Sequence, residues 1–129
     1  MRKYAALLLF LASQTWAHHA FAAEYDAKKL VTVSGTVTGL TWSNPHAWLL
    51  VEGKDETGKD GEWKFEMGSP NGLISRGWKK AELTKGDQVT VDGYASKHTS
   101  NTANARMVVL PDGRKLFGGF QSTPRAPGK

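Results

Sequence analysis

Histidine is scarce in this chain, and the placing of its four histidines, His18, His19, His46 and His98, suggests the sharpest chemistry the sequence holds. The first two adjoin each other behind an apolar opening stretch. A cut after Ala17 would make His18 the first residue, with a free α-amine of pKa about 7.7–8 next to its own imidazole. Amine and imidazole nitrogens on one residue form a chelate, and copper(II) favours such nitrogen sets. His46 or His98, carried close by the fold, would add another imidazole. These four histidines are therefore the candidate metal ligands, and copper is the candidate cofactor. The plain alternative is a frayed terminus with Phe21 and Tyr25 docked on the domain. Zinc suits the chain less, because it has no cysteine and no His-x-x-x-His spacing.

Aromatic residues make the second candidate. His46 and Trp48 lie two residues apart, hence on one face of a strand, with Trp42 just before the turn at Asn44-Pro45. Small barrels stack bases or sugars on such platforms. The same side chains could instead be covered by the N-terminal segment or by a short helix, since buried tryptophans are ordinary. Asn101, Asn104 and Arg106, in the polar stretch behind His98, form the third candidate. Loops of this kind bind ligands, and their Asn and Thr side chains also bond to nearby backbone. The ligand-binding candidates are thus Trp42, His46, Trp48, Asn101, Asn104 and Arg106.

No catalytic set emerges. Ser69 in Gly68-Ser69-Pro70 lacks the Gly-x-Ser-x-Gly elbow, and no glycine-rich phosphate loop occurs. Asp55, Glu56, Asp60 and Glu62 fall at what reads as a hairpin tip, with no walls to raise a carboxylate pKa.

Met1, Arg2 and Lys3, the apolar run Ala5 to Ala12 and the relaxed stretch Ser13 to Ala17 follow the pattern of an export leader. Residues 1–17 are read as that leader. A cut after Ala22 is the second option, and it would remove His18 and His19. The apolar run is far shorter than the roughly 20 residues that span a bilayer, so no transmembrane segment is expected in the mature protein. A periplasmic or secreted location follows. Without cysteine there is neither a disulfide nor a lipid-bearing thiol, and stability must come from a core. The formal charge of +5 includes Arg2 and Lys3, and the other basic residues are interleaved with acids. No nucleic-acid stripe is expected.

The elements that would position these residues are mostly strands. Val31, Val33, Gly35, Val37 and Gly39 alternate with Thr32, Ser34, Thr36 and Thr38, predicting a half-buried strand over Leu30 to Leu40 that coils at Gly35. A second strand is read from His46 to Glu52, with Ala47, Leu49 and Val51 on the face opposite His46, Trp48, Leu50 and Glu52. A third runs from Glu62 to Met67. Ser69-Pro70 starts a short helix ending near Lys79 and Lys80, with Leu73, Ile74, Gly77 and Trp78 on one side. Two more strands, Gln88 to Ser96 and about Ala103 to Leu110, precede the Pro111-Asp112-Gly113 turn and an apolar piece, Lys115 to Phe117. Three strands, a helix, then two strands predict an all-β, five-stranded OB-like barrel over residues 18–119, with an open β-sandwich as the competitor. Residues 120–129 read as a disordered tail.

Several stretches look familiar together: Ala17 to Ala22, Glu24-Tyr25-Asp26, Trp42 to Trp48, Gly68 to Asn71, Arg76-Gly77-Trp78, Ser100 to Arg106 and Leu110 to Arg114. The set resembles a family of small exported bacterial proteins of uncharacterised function. The resemblance implies export and a single β-rich domain. The expected function is an exported binding module for a small ligand or an envelope protein partner, with copper binding at the mature N-terminus as the alternative.

Overall fold

The first strand is longer than its alternation of small branched residues with hydroxyls shows. In the computed structural model, which describes residues 20–119, β1 runs from Tyr25 to Thr41. The expected leader 1–17, His18, His19 and residues 120–129, expected to be a disordered tail, lie outside the described residues. Val31, Val33 and Val37 turn inward and are buried, as period-two alternation requires. Then come β2 (Trp48–Asp55), β3 (Asp60–Glu66), α1 (Pro70–Ser75), β4 (Gln88–Ser96), β5 (Thr102–Val109) and β6 (Lys115–Phe117). Residues 20–24 are helical and lead directly into β1.

The strands form one sheet in the order β3-β2-β1-β4-β5-β6, antiparallel throughout that order. A further pairing closes it: Lys64–Glu66 of β3 run parallel to Thr102–Asn104 of β5. The sheet is a ring, not an open sandwich, and closing it removes most of the exposed edge. A ring this tight needs a sharp coil. Gly35 provides it opposite Gly53, because a Cβ on Gly35 would sit 2.1 Å from the Glu52 carbonyl oxygen. The register slip itself falls farther on, between Val37 and Gly39.

Val33, Leu49, Val51, Phe65, Met67, Val91 and Val108 fill the interior and are fully buried. Truncating one of these, Leu49→Ala for example, should cost about 2–5 kcal/mol, from lost transfer energy and the cavity left behind. Packed against that interior is α1. Ser69 caps it by accepting the Gly72 amide at 3.2 Å, Pro70 sits in the first turn, and Leu73 points inward. The helix stops at Ser75, several residues before the expected end. Gly77 has φ +102°, which turns the chain so that Trp78 drops into the core from beyond the helix. There the Trp78 indole donates to the Phe117 carbonyl at 2.9 Å. Ile74, expected on the inner side, is 51% exposed, because so short a helix presents only one residue to the core.

Candidate functional site

The alternation of β2 decides which of its side chains face out. Ala47, Leu49 and Val51 are buried, so His46, Trp48 and Leu50 stand on the outer wall, half-buried. Trp48 lies directly opposite Glu66, the last residue of β3. A third segment reaches the same carboxylate. The register of β1 slips between Tyr25 and Leu30, and the Tyr25 hydroxyl donates to Glu66 Oε2. On the other oxygen, His46 Nδ1 lies 2.8 Å from Glu66 Oε1. One carboxylate therefore ties together the start of β1, the approach to β2 and the end of β3.

This cluster is partly withdrawn from water, with side-chain exposures of 33% for His46 and 16% for Glu66. Tyr25 is only 5% exposed. Burial first, and then the bond to the Glu66 carboxylate and its charge, pushes the phenol above its ordinary range. Tyr25 accordingly remains a proton donor to Glu66 at any ordinary pH.

The chain before Tyr25 is fastened beside the cluster. Phe21 packs on Tyr25 and, edge-on, on Tyr94, with ring centroids 5.6 and 5.7 Å apart. Lys97 Nζ donates to the Ala22 carbonyl, the Lys97 amide donates to Glu24 O at 2.8 Å, and His98 Nε2 lies 3.1 Å from Ala23 O. Phe21 and Tyr25 thus dock on the ring. His18 and His19, outside the described residues, directly precede this docked segment in the chain.

The other sequence candidates are placed differently. Trp42 leaves the platform and packs toward the core against Trp78, centroids 6.5 Å apart. Asn101, at φ +49°, accepts the Lys64 amide on its carbonyl at 2.9 Å and donates through Nδ2 to Glu62 O at 3.3 Å. It seals the edge of β3 beside the closing strand. Asn104 is 2% exposed and donates to the Glu66 carbonyl at 3.2 Å. Arg106 grips Asp92 through Nε and a terminal nitrogen at 2.8 and 2.9 Å. Glu66 and Tyr25 were not among the sequence candidates. Glu66 reads as one more outward charge in an alternating strand, and its meeting with His46 depends on register. Tyr25 stood in the sequence as an aromatic expected to dock with Phe21 and within Glu24-Tyr25-Asp26, with nothing to tie it to Glu66.

Elsewhere an open groove of about 600 Å³ runs along β1 and β4 to the turn after β5, but its polar groups bond to one another. Ser34 and Thr90 hydroxyls meet at 2.9 Å, and Gln88 reaches Thr36 at 2.6 Å. Among the described residues no group of three or more His, Cys, Asp or Glu side chains could hold a metal ion, and no helix is long and apolar enough to cross a membrane.

Over residues 6–105 the sequence matches a family described as "Family of unknown function (DUF6152)". Tyr25, His46, Trp48 and Glu66 all fall within that span. No curated protein and no solved structure matches the chain.

Proposed function

We propose, from the premise that the chain belongs to the DUF6152 family of unknown function, that it is an exported binding module built on an OB-like barrel. Membership brings no activity with it, so the reading rests on residues. Around the ring the strands follow the order β1-β2-β3-β5-β4 with the helix between β3 and β4, which favours the OB-like description. The basic start, apolar run and small residues before Ala17 favour export. The module takes a small ligand or an envelope protein partner on the outer wall at Tyr25, His46, Trp48 and Glu66.

The carrying observation is the bonding of Glu66. Its carboxylate is largely withdrawn from water yet takes bonds from side chains of two other segments rather than from strand amides. Withdrawing a charge is costly, and the sheet gains no backbone bond in return. A carboxylate, an imidazole and an indole held in fixed relation on an outer face are what a polar ligand needs. NMR of the processed protein tests this, with a panel of monosaccharides, amino acids and divalent metal ions. A binder should shift the Trp48 indole and His46 imidazole signals, and Trp48→Ala should weaken it. Responses confined to the Ser34–Thr90 groove would place the site elsewhere.

A further inference from the structure

We propose that the face where α1 and the turn after it meet β6 docks the protein on an anionic phospholipid bilayer, through Arg76, Lys79, Lys80 and Lys115 beside the exposed side chain of Ile74. This surface is separate from the outer wall at Glu66 and uses none of its residues.

The fold brings these cations together from two separate stretches of mixed charge. The Trp78 indole bonds to the Phe117 carbonyl, and a Cβ on Gly77 would sit 3.6 Å from the Leu116 side chain, so the turn after α1 lies against β6. Arg76 stands over the Phe117 ring, 4.9 Å from its centroid. Lys115 and Phe117 share one face of β6, because side chains alternate along a strand. Arg76 and Lys115 are therefore on the same side.

The acids of this region are already engaged. Glu82 and Asp112 both pair with Arg114, and the Glu82 side chain is only 6% exposed whereas the guanidinium it meets is 53% exposed. The second Glu82 oxygen accepts the Lys79 amide at 3.2 Å. Among the described residues no carboxylate forms an ion pair with Arg76, Lys79, Lys80 or Lys115, and all four are exposed. The next turn carries one charge of each sign, Lys85 and Asp87. The face thus keeps a positive excess that the sequence, with its interleaved charges, does not display.

Ile74 supplies what charge alone lacks. It is 51% exposed, and its carbonyl accepts the Gly77 amide at 3.1 Å, which holds it at the edge of the basic turn. An aliphatic side chain flanked by long cations suits a bilayer, where hydrocarbon lies just below the phosphates. Nucleic bases find no stacking platform here, since Trp78 is buried and Phe117 lies under Arg76. Protein interfaces are depleted in lysine, whereas three of these four cations are lysines. Leu30, the other large exposed hydrophobic, makes the contrast: Lys28 and Lys29 beside it are offset by Asp26 and by Glu56, whose carboxylate accepts the Thr32 amide.

The test is co-sedimentation of the processed protein with vesicles of phosphatidylcholine and phosphatidylglycerol in equal parts, set beside vesicles of phosphatidylcholine alone. Uptake on the anionic vesicles only is expected, falling as added salt screens the attraction. Lys79→Gln, Lys80→Gln and Lys115→Gln should each lower the partition coefficient about fivefold, the effect of one cation at an anionic surface. Ile74→Ser should lower it by about fivefold too, since half of that side chain is still to be buried. Leu30→Ser should leave it unchanged. Urea midpoints check that each variant folds, as substitutions at exposed positions ordinarily do.

Equal uptake on the neutral vesicles, no response to Lys115→Gln, or a loss with Leu30→Ser as large as that with Ile74→Ser would overturn the inference. So would binding to a short DNA duplex as tight as to the anionic vesicles with Ile74→Ser altering neither, because the face would then read charge alone.

Discussion

Two charged clusters of similar exposure differ in what they bond. Asp92 and Arg106 pair across β4 and β5 with side chains 22% and 38% exposed, close to the values for Glu66 and His46. Asp92, however, also accepts the Met107 amide at 3.2 Å, where Arg106 is the extra residue of a register slip opposite Asp92 and Gly93. The bulge displaces an amide from the ladder, and Asp92 takes it up. Among the described residues the Glu66 carboxylate meets side chains, those of Tyr25 and His46. One cluster repairs the sheet, whereas the other is an addition that the sheet does not require.

That contrast predicts an order of stability losses. Asp92→Ala strands both the Arg106 guanidinium and the Met107 amide, and should cost about 2–3 kcal/mol in urea unfolding, since hydrogen bonds to charged groups are the stronger kind. Asn104→Ala leaves the Glu66 carbonyl without its buried donor and should cost about 2 kcal/mol. Tyr25→Phe keeps the ring packed on Phe21 but deletes the hydroxyl, for a loss of about 1 kcal/mol. Glu66→Gln keeps one oxygen for His46 Nδ1 and offers the Tyr25 hydroxyl an amide N–H to accept in place of the bond it donates, and should stay within about 0.5 kcal/mol. Were Glu66→Gln to match Asp92→Ala, the outer cluster would be structural and the contrast would fail.

The same contrast explains what could be read from the sequence. Period-two alternation marked β1, β3 and β4, and both β4 and the Lys115 to Phe117 piece have the expected ends. The outward face of β2 was legible for the same reason. Ring closure was not, because the parallel pairing of β3 with β5 joins residues nearly forty positions apart and leaves no local pattern. The contact of Trp42 with Trp78 was not legible, because an aromatic beside a turn reads alike whether it meets another ring or solvent. Glu66 was invisible in Glu62-x-Lys64-x-Glu66, where alternation predicts a solvated charge on each outward position. Asn101, Asn104 and Arg106 were legible as polar residues with work to do, while the structure alone shows that the work is holding backbone and a bulge.

The smallest expected effect separates burial from backbone service. Asp55, at the β2–β3 turn, also serves the main chain: its Oδ1 accepts the Thr57 hydroxyl at 2.6 Å and the Thr57 and Lys59 amides at 2.9 and 3.1 Å. These bonds, the Thr57 hydroxyl foremost, hold its pKa below the ordinary carboxylate value at a turn that faces solvent. A carboxylate whose pKa is lower folded than unfolded stabilises the fold above the unfolded value of about 3.9 and loses that contribution as pH falls through the folded value. An acid titration followed by NMR should therefore show the Thr57 and Lys59 amides shifting together below the usual aspartate range. The global unfolding midpoint should hardly respond to Asp55→Asn at neutral pH, because water replaces a lost bond at an exposed turn at little cost. A large loss there would mean that service to the backbone alone sets the energy. A negligible one, beside a large loss for Asp92→Ala, would show that the bond must also be shielded from water before the fold depends on it.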